Sequence, residues 1–169
     1  MKALTLIQPF ASLVAIEAKL NETRSWPTNY RGPLAIHAAK HFPEDYQGLC
    51  FFEPFRSILA KAGFITLNRT YLGDHNFPLG CVVAICKLLD CRYILKPGQL
   101  YLDPEIKPFI LPEEPELSFG DYTPGRFVFS LSEIQQLANP IPARGYQKLW
   151  EWASYDYGVA LNPRRNYAG

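Results

Sequence analysis

The chain has 169 residues, 48% hydrophobic and 20% charged, with a formal net charge of +1. That length suits one domain with its own core and is short for two, and the composition is ordinary for a globular protein. No apolar run approaches the roughly 20 residues that span a bilayer, and so small a net charge does not by itself point to nucleic acid.

Ala3 to Ile7 is apolar and β-prone and reads as a first strand. The opening stretch is interrupted by Gln8-Pro9 and has no small-residue cleavage site, so it does not read as a secretion signal, and a cytoplasmic location is expected. Pro9 opens a helix at the turn where its missing N–H costs nothing, and Phe10, Leu13, Val14 and Ala18 share the inward face.

The next stretch carries the chemistry. Lys19, Glu22 and Arg24 fall within six residues, where the helix gives way to a strand expected over Glu22 to Trp26. Strand alternation puts Glu22 and Arg24 on one face and Thr23 on the other, with Lys19 reaching over from the preceding turn. Two cations and a carboxylate then converge on a concavity suited to an anionic or polar ligand. The plainer alternative is a surface ion pair of little energetic consequence.

A turn-rich link over residues 27–32 leads to a third strand, Leu34 to Ala38. Residues 43–62 read as one helix, with Glu44 and Asp45 in its first turn and Lys61 and Gly63 at its end. Residues 63–79 are irregular. Gly80 to Tyr93 is the strongest strand signal, apolar enough for burial on both faces. Residues 94–125 form a long proline-rich loop, and the segment 101–121 within it has a local charge of −5, leaving +6 on the rest. If that loop is peripheral, the body is mildly basic.

Arg126 to Leu131 alternates as a strand. Ser130 and Glu133 then resemble a capping box opening a short helix to Leu137, broken by Asn139 to Pro142. Gln147 to Trp152 is a last strand, and residues 153–169 read as a tail after a domain of residues 1–152. About six strands with two or three helices make an α+β fold, a small curved sheet or barrel capped by helices. Cys50, Cys81, Cys86 and Cys91 include no C-x-x-C pair, and His37, His41 and His75 do not complete a ligand set, so neither a metal nor another cofactor is expected.

In order along the chain, these motifs resemble the ASCH domain family (activating signal cointegrator homology), in the PUA-like superfamily. Lys19, Glu22 and Arg24 match its Gly-x-Lys-x-x-Glu-x-Arg signature. The likeness continues through Gln8-Pro9-Phe10-Ala11-Ser12-Leu13, Arg24-Ser25-Trp26, Tyr30-Arg31-Gly32-Pro33-Leu34, Pro78 to Val82 with Asp90-Cys91, and Lys148-Leu149-Trp150. The resemblance implies a PUA-like β-barrel with helices across its openings and a cleft lined by the signature. It further implies binding of RNA or other nucleic acid, and in some members hydrolysis of N4-acetylcytidine or of RNA. Glu17 stands where the signature has Gly, and Asn21, tolerant of the left-handed conformation, is a nearby substitute. Glu22 stands where the amidohydrolase branch has a threonine, so that activity is not carried over.

The candidate residues carry alternative readings. Lys19 is a phosphate contact, a base if desolvated, or a snorkelling surface lysine. Arg24 offers a fork to phosphate or a base edge, or merely orients Glu22. Glu22 positions the cations, accepts from a nucleobase amine, or acts with Lys19 as a catalytic pair. Trp26 and Tyr30 stack on bases or pack in the core. Arg31 contacts phosphate or is solvated; His37 is a proton donor or a hydrogen-bonded core residue, and Lys40 follows it at the end of the third strand. Ser12 is a polar cleft residue or a small helix contact, and Asp90 with Arg126 reads as a structural pair. The favoured function is binding of RNA or single-stranded nucleic acid. The alternatives are a hydrolase using the same cleft and a protein-interaction module working through loop 97–124. Nothing in the chain sets the oligomeric state.

Overall fold

A computed structural model describes residues 1–67, 75–95 and 109–153. Among these, six strands form one curled sheet: β1 (Lys2–Leu6), β2 (Asn21–Arg24), β3 (Gly32–Ala38), β4 (Cys81–Tyr93), β5 (Phe127–Pro142) and β6 (Leu149–Glu151). Three helices accompany it: α1 (Phe10–Ala15) packs on the sheet, and α2 (Glu44–Leu49) and α3 (Phe55–Lys61) pack beyond α1. The strand order is β2-β5-β4-β3-β1-β6, with β1 and β3 parallel and the other neighbours antiparallel. The outermost strands, β2 and β6, do not pair with each other, so the sheet is a half-barrel, the α+β barrel-like class expected.

Curvature comes from the two long central strands. Their pairing slips between Val82 and Ala84, Ile85 and Lys87, and Leu88 and Asp90, and such bulges bend and twist a sheet. They also explain the main departure from the sequence reading. The stretch after Ser130 is not a helix; β5 continues unbroken to Pro142. Besides Phe129 and Ile141, its buried residues Val128, Leu131, Ile134 and Leu137 fall three apart. Three-residue spacing suggests a helix, but here extra residues in a bulged strand restore each apolar side chain to the core. Glu133, taken for a capping residue, is a bulge residue at φ 50°.

The expected helix over 43–62 is two, α2 and α3, with Pro54 as the N-cap of the second; proline lacks the N–H that would continue the first. The second strand ends at Arg24 instead of Trp26. Asp90 and Arg126 do not pair. Asp90 meets Arg31 at 3.1 Å and also Arg92, while Arg126 lies 3.2 Å from Asp121.

One core lies between the sheet and α1, with Leu4, Ile36, Leu88 and Phe129 at its centre. A second, rich in phenylalanine, joins Leu13 of α1 to Phe42, Phe55 and Leu59, and takes in Phe119 from the acidic loop. Trp152, the last buried residue described, joins a third cluster with Ala3, Val82 and Leu137.

Candidate nucleic-acid interface

The site begins with the exit of α1. The Ala18 amide returns to the Leu13 carbonyl and the Glu17 amide to the Val14 carbonyl, both at 2.9 Å. This is a Schellman closure, with the left-handed residue after the cap. That residue is Glu17, at φ 61°. It occupies the conformation for which the signature uses glycine, and Asn21, the expected substitute, lies in β2. The reversal turns Lys19 inward.

Lys19 is 1% exposed, so it is not a snorkelling surface residue. Its Nζ donates to the Phe119 carbonyl at 2.6 Å and to the Asn21 carbonyl, lies 3.4 Å from Glu22 Oε2, and stands 5.8 Å from the Phe10 ring centre. Burial lowers its pKa, opposed by the adjacent Glu22 carboxylate. On the other side, Glu22 Oε1 is 3.0 Å from Arg24 Nε, an ion pair without hydrogen-bond alignment. Arg24 Nη2 donates to the Thr5 carbonyl at 2.8 Å. Ammonium, carboxylate and guanidinium therefore converge as the spacing predicted.

They line a cleft of about 410 Å³, walled by Thr5, Phe10, Tyr46, Thr23, Asp121 and Arg126 among others. Phe10 and Tyr46 meet edge to face at 5.8 Å and supply an apolar wall. The remaining wall comes from the acidic loop, whose second half is not peripheral. A short 3₁₀ turn (Glu116–Phe119) packs Phe119 against Phe55 at 4.8 Å. Glu116 Oε1 accepts from the Leu20 and Asn21 amides at 2.6 Å each. The Asp121 amide donates to Thr23 Oγ1 at 3.1 Å. Thr123, donating to Asp121, and the Arg126 guanidinium hold the Asp121 carboxyl below its ordinary pKa. The Tyr122 phenol is pushed upward by burial and by the nearby Glu116 and Glu22 carboxylates.

The remaining predicted residues do not join this cleft. Ser12 is fully buried in α1. Trp26 packs edge-on against Phe129 at 5.1 Å. The Tyr30 hydroxyl donates to the Pro33 carbonyl, and Arg31 is held by the Thr28 and Tyr30 carbonyls and Asp90. His37 and Lys40 line a second cavity, which shares Thr5 with the cleft at the same end of β1. His37 is 1% exposed, with Nε2 3.0 Å from the Ala143 carbonyl, and burial lowers its pKa.

Sequence reasoning had Phe10 only as a core residue and passed over Tyr46, Phe119 and Asp121. The last two lie about 100 positions from Lys19 along the chain, and no local pattern joins them to it. The first half of loop 97–124 lies outside the described residues, as does the tail after residue 153. The four cysteines are unpaired thiols, with burial pushing Cys50 and Cys86 up to about 12. Among the described residues no side-chain cluster has the makings of a metal site, and no helix is long and apolar enough to cross a membrane.

Fold and cleft together define a small α+β half-barrel domain that carries an ion-paired pocket at the edge of its sheet. Among known proteins, human activating signal cointegrator 1 is 26% identical over 148 residues, which is 88% of this chain and 22% of that protein. The chain thus spans less than a quarter of the relative it matches. No family model matches.

Proposed function

We propose that the chain is an ASCH-type nucleic-acid-binding module that takes one unpaired nucleotide of RNA or single-stranded nucleic acid into the cleft. The observation that carries this reading is an aromatic wall and a Glu22–Arg24 pair facing one hollow of about 410 Å³. That volume falls within the roughly 300–1,000 Å³ of small-ligand sites. A nucleobase has a flat apolar face and an edge of mixed donors and acceptors. Phe10 and Tyr46 suit the face, while the Glu22 carboxylate and the guanidinium donors of Arg24 and Arg126 suit the edge. Lys19 serves in this scheme as the internal post that fixes Glu22. The likeness to a cointegrator agrees with the family resemblance of the motifs.

Binding fits the geometry better than turnover. The Lys19 amine is buried and engaged by two carbonyls and a carboxylate, which leaves it poorly placed to take a proton from a ligand. The Thr23 hydroxyl is engaged by the Asp121 amide.

Fluorescence anisotropy with a mixed-sequence pool of single-stranded RNA 8-mers tests the reading. Affinity is expected to fall linearly in log–log with salt, and Arg24→Ala to weaken it about tenfold, as loss of a base-edge contact implies. Absence of binding at low salt, or an Arg24→Ala affinity equal to wild type, overturns it.

A further inference from the structure

The second cavity differs from the cleft in charge. It encloses about 910 Å³ between the end of β3, the start of β4 and the β5–β6 connection. Its wall carries Lys40, His41, Arg144 and the His37 ring, and no Asp or Glu. The chain has 16 acids, almost as many as its 17 lysines and arginines, so an acid-free wall of this size is a departure from its average surface. Among the described residues neither Lys40 nor Arg144 has a carboxylate within 4.0 Å. Every cation of the cleft, by contrast, faces a carboxylate.

Three features make this cavity a built one. The Arg144 guanidinium lies 5.4 Å over the Tyr146 ring, and Tyr146, 51% exposed, meets Trp150 edge to face at 5.4 Å. The Lys40 stem runs over Gly80, where a Cβ would come within 3.5 Å of it. At the inner wall, His37 Nδ1 is buried without a hydrogen-bond partner among the described residues. Gly145 lies against that edge of the ring, so closely that a Cβ there would stand 2.4 Å from His37 Cε1 and 2.9 Å from Thr5 Oγ1.

The two hollows adjoin at Thr5, which lines both. Its carbonyl accepts from Arg24 Nη2 on the cleft side, and its hydroxyl accepts from Trp150 Nε1 at 3.1 Å on the other. A path of contacts thus runs Arg24, Thr5, Trp150, Tyr146, Arg144 across the end of β1.

We infer that the second cavity is the phosphate subsite for the nucleic-acid strand whose nucleotide enters the cleft, with Lys40 and Arg144 as backbone contacts and Tyr146 as a stacking ring. This rests on the function proposed above. The division of labour is chemical. The cleft has mixed donors and acceptors and no surplus charge beyond one cation, which suits a base. The second cavity has two cations with no carboxylate within 4.0 Å among the described residues, beside an exposed ring, which suits backbone and stacking.

The test uses the same RNA 8-mer pool on the full chain, with wild type, Lys40→Ala/Arg144→Ala and Arg24→Ala compared over a salt series. Both substituted cations are exposed, so the fold is expected to survive, and circular dichroism checks it. Loss of two phosphate contacts is expected to reduce the magnitude of the log–log salt slope by about 1.4, at about 0.7 per contact for a single strand. The loss should be similar for all base compositions, whereas Arg24→Ala should change base preference. Amide shifts at Lys40 and Gly145 on adding the pool are expected in the wild type. Wild-type binding with an unchanged slope in Lys40→Ala/Arg144→Ala overturns the subsite while leaving the cleft reading intact. No wild-type binding at low salt overturns both.

Discussion

Replacing Lys19 by methionine separates a structural post from a phosphate ligand. The substitution keeps the stem and removes the ammonium from a position 1% exposed to solvent. Breaking a buried ion pair from one side costs about 3–5 kcal/mol. Here the lower end applies to the pair itself, because Arg24 still lies 3.0 Å from the other Glu22 oxygen. The Asn21 and Phe119 carbonyls lose their donor as well, at a cost on the order of 1 kcal/mol each for buried acceptors left unmet. The expected destabilisation is about 5 kcal/mol, a large share of the roughly 5–15 kcal/mol of a typical domain. In urea, with a slope of about 2 kcal/mol per molar, the midpoint should fall by about 2.5 M. The RNA salt slope of whatever folded protein remains should match wild type, since no phosphate contact has been removed. A midpoint shift worth less than about 1 kcal/mol, accompanied by a shallower salt slope, would refute the assignment and return Lys19 to the ligand.

Two further outcomes follow from backbone and burial. Glu17→Gly is expected to stabilise the protein by about 0.5–1 kcal/mol, because a left-handed L-residue costs roughly 1–2 kcal/mol and glycine gives back roughly half of that in chain entropy; a thermal midpoint at or below that of wild type, or a matching gain from Glu17→Ala, would contradict it. His37 has its pKa lowered by burial from the ordinary 6.5. The unfolded chain therefore takes up that proton first, and the stability His37 contributes above pH 6.5 drains away as pH falls through its folded value. Urea midpoints measured from about pH 7.5 down to 5 should fall more steeply for wild type than for His37→Gln, and parallel profiles would show that the ring titrates normally.

What could be seen in the sequence was whatever is local. The alternation of Glu22 and Arg24 follows from two-residue strand periodicity, and their meeting with Lys19 needed only the helix exit before it. The fold class followed from the apolar run of β4 and the spacing of turn residues. Beyond that range, a local motif misled. Ser130 and Glu133 have the spacing of a capping box, yet both lie in a bulged strand, and nothing in the two residues distinguishes the cases. Charge misled as well. The acidic loop reads as solvated surface, yet Glu116 is committed to two amides of the signature segment. Whether a carboxylate in a loop meets water or an amide some 95 residues away is decided by tertiary packing, which leaves no mark on its neighbours in the chain.

The four residues of β2 pair with β5 on one side only, which leaves an outer row of backbone groups at the end of the sheet. Exposed strand margins recruit other strands, including those of neighbouring molecules. The Glu116-to-Asp121 segment occupies that margin: it caps the Leu20 and Asn21 amides, offers a carbonyl to Lys19 and ties its own amide to Thr23. One stretch of chain therefore both walls the pocket and covers part of the sheet margin. Loosening it to widen the hollow would, by the same step, bare strand backbone of the kind that recruits other strands.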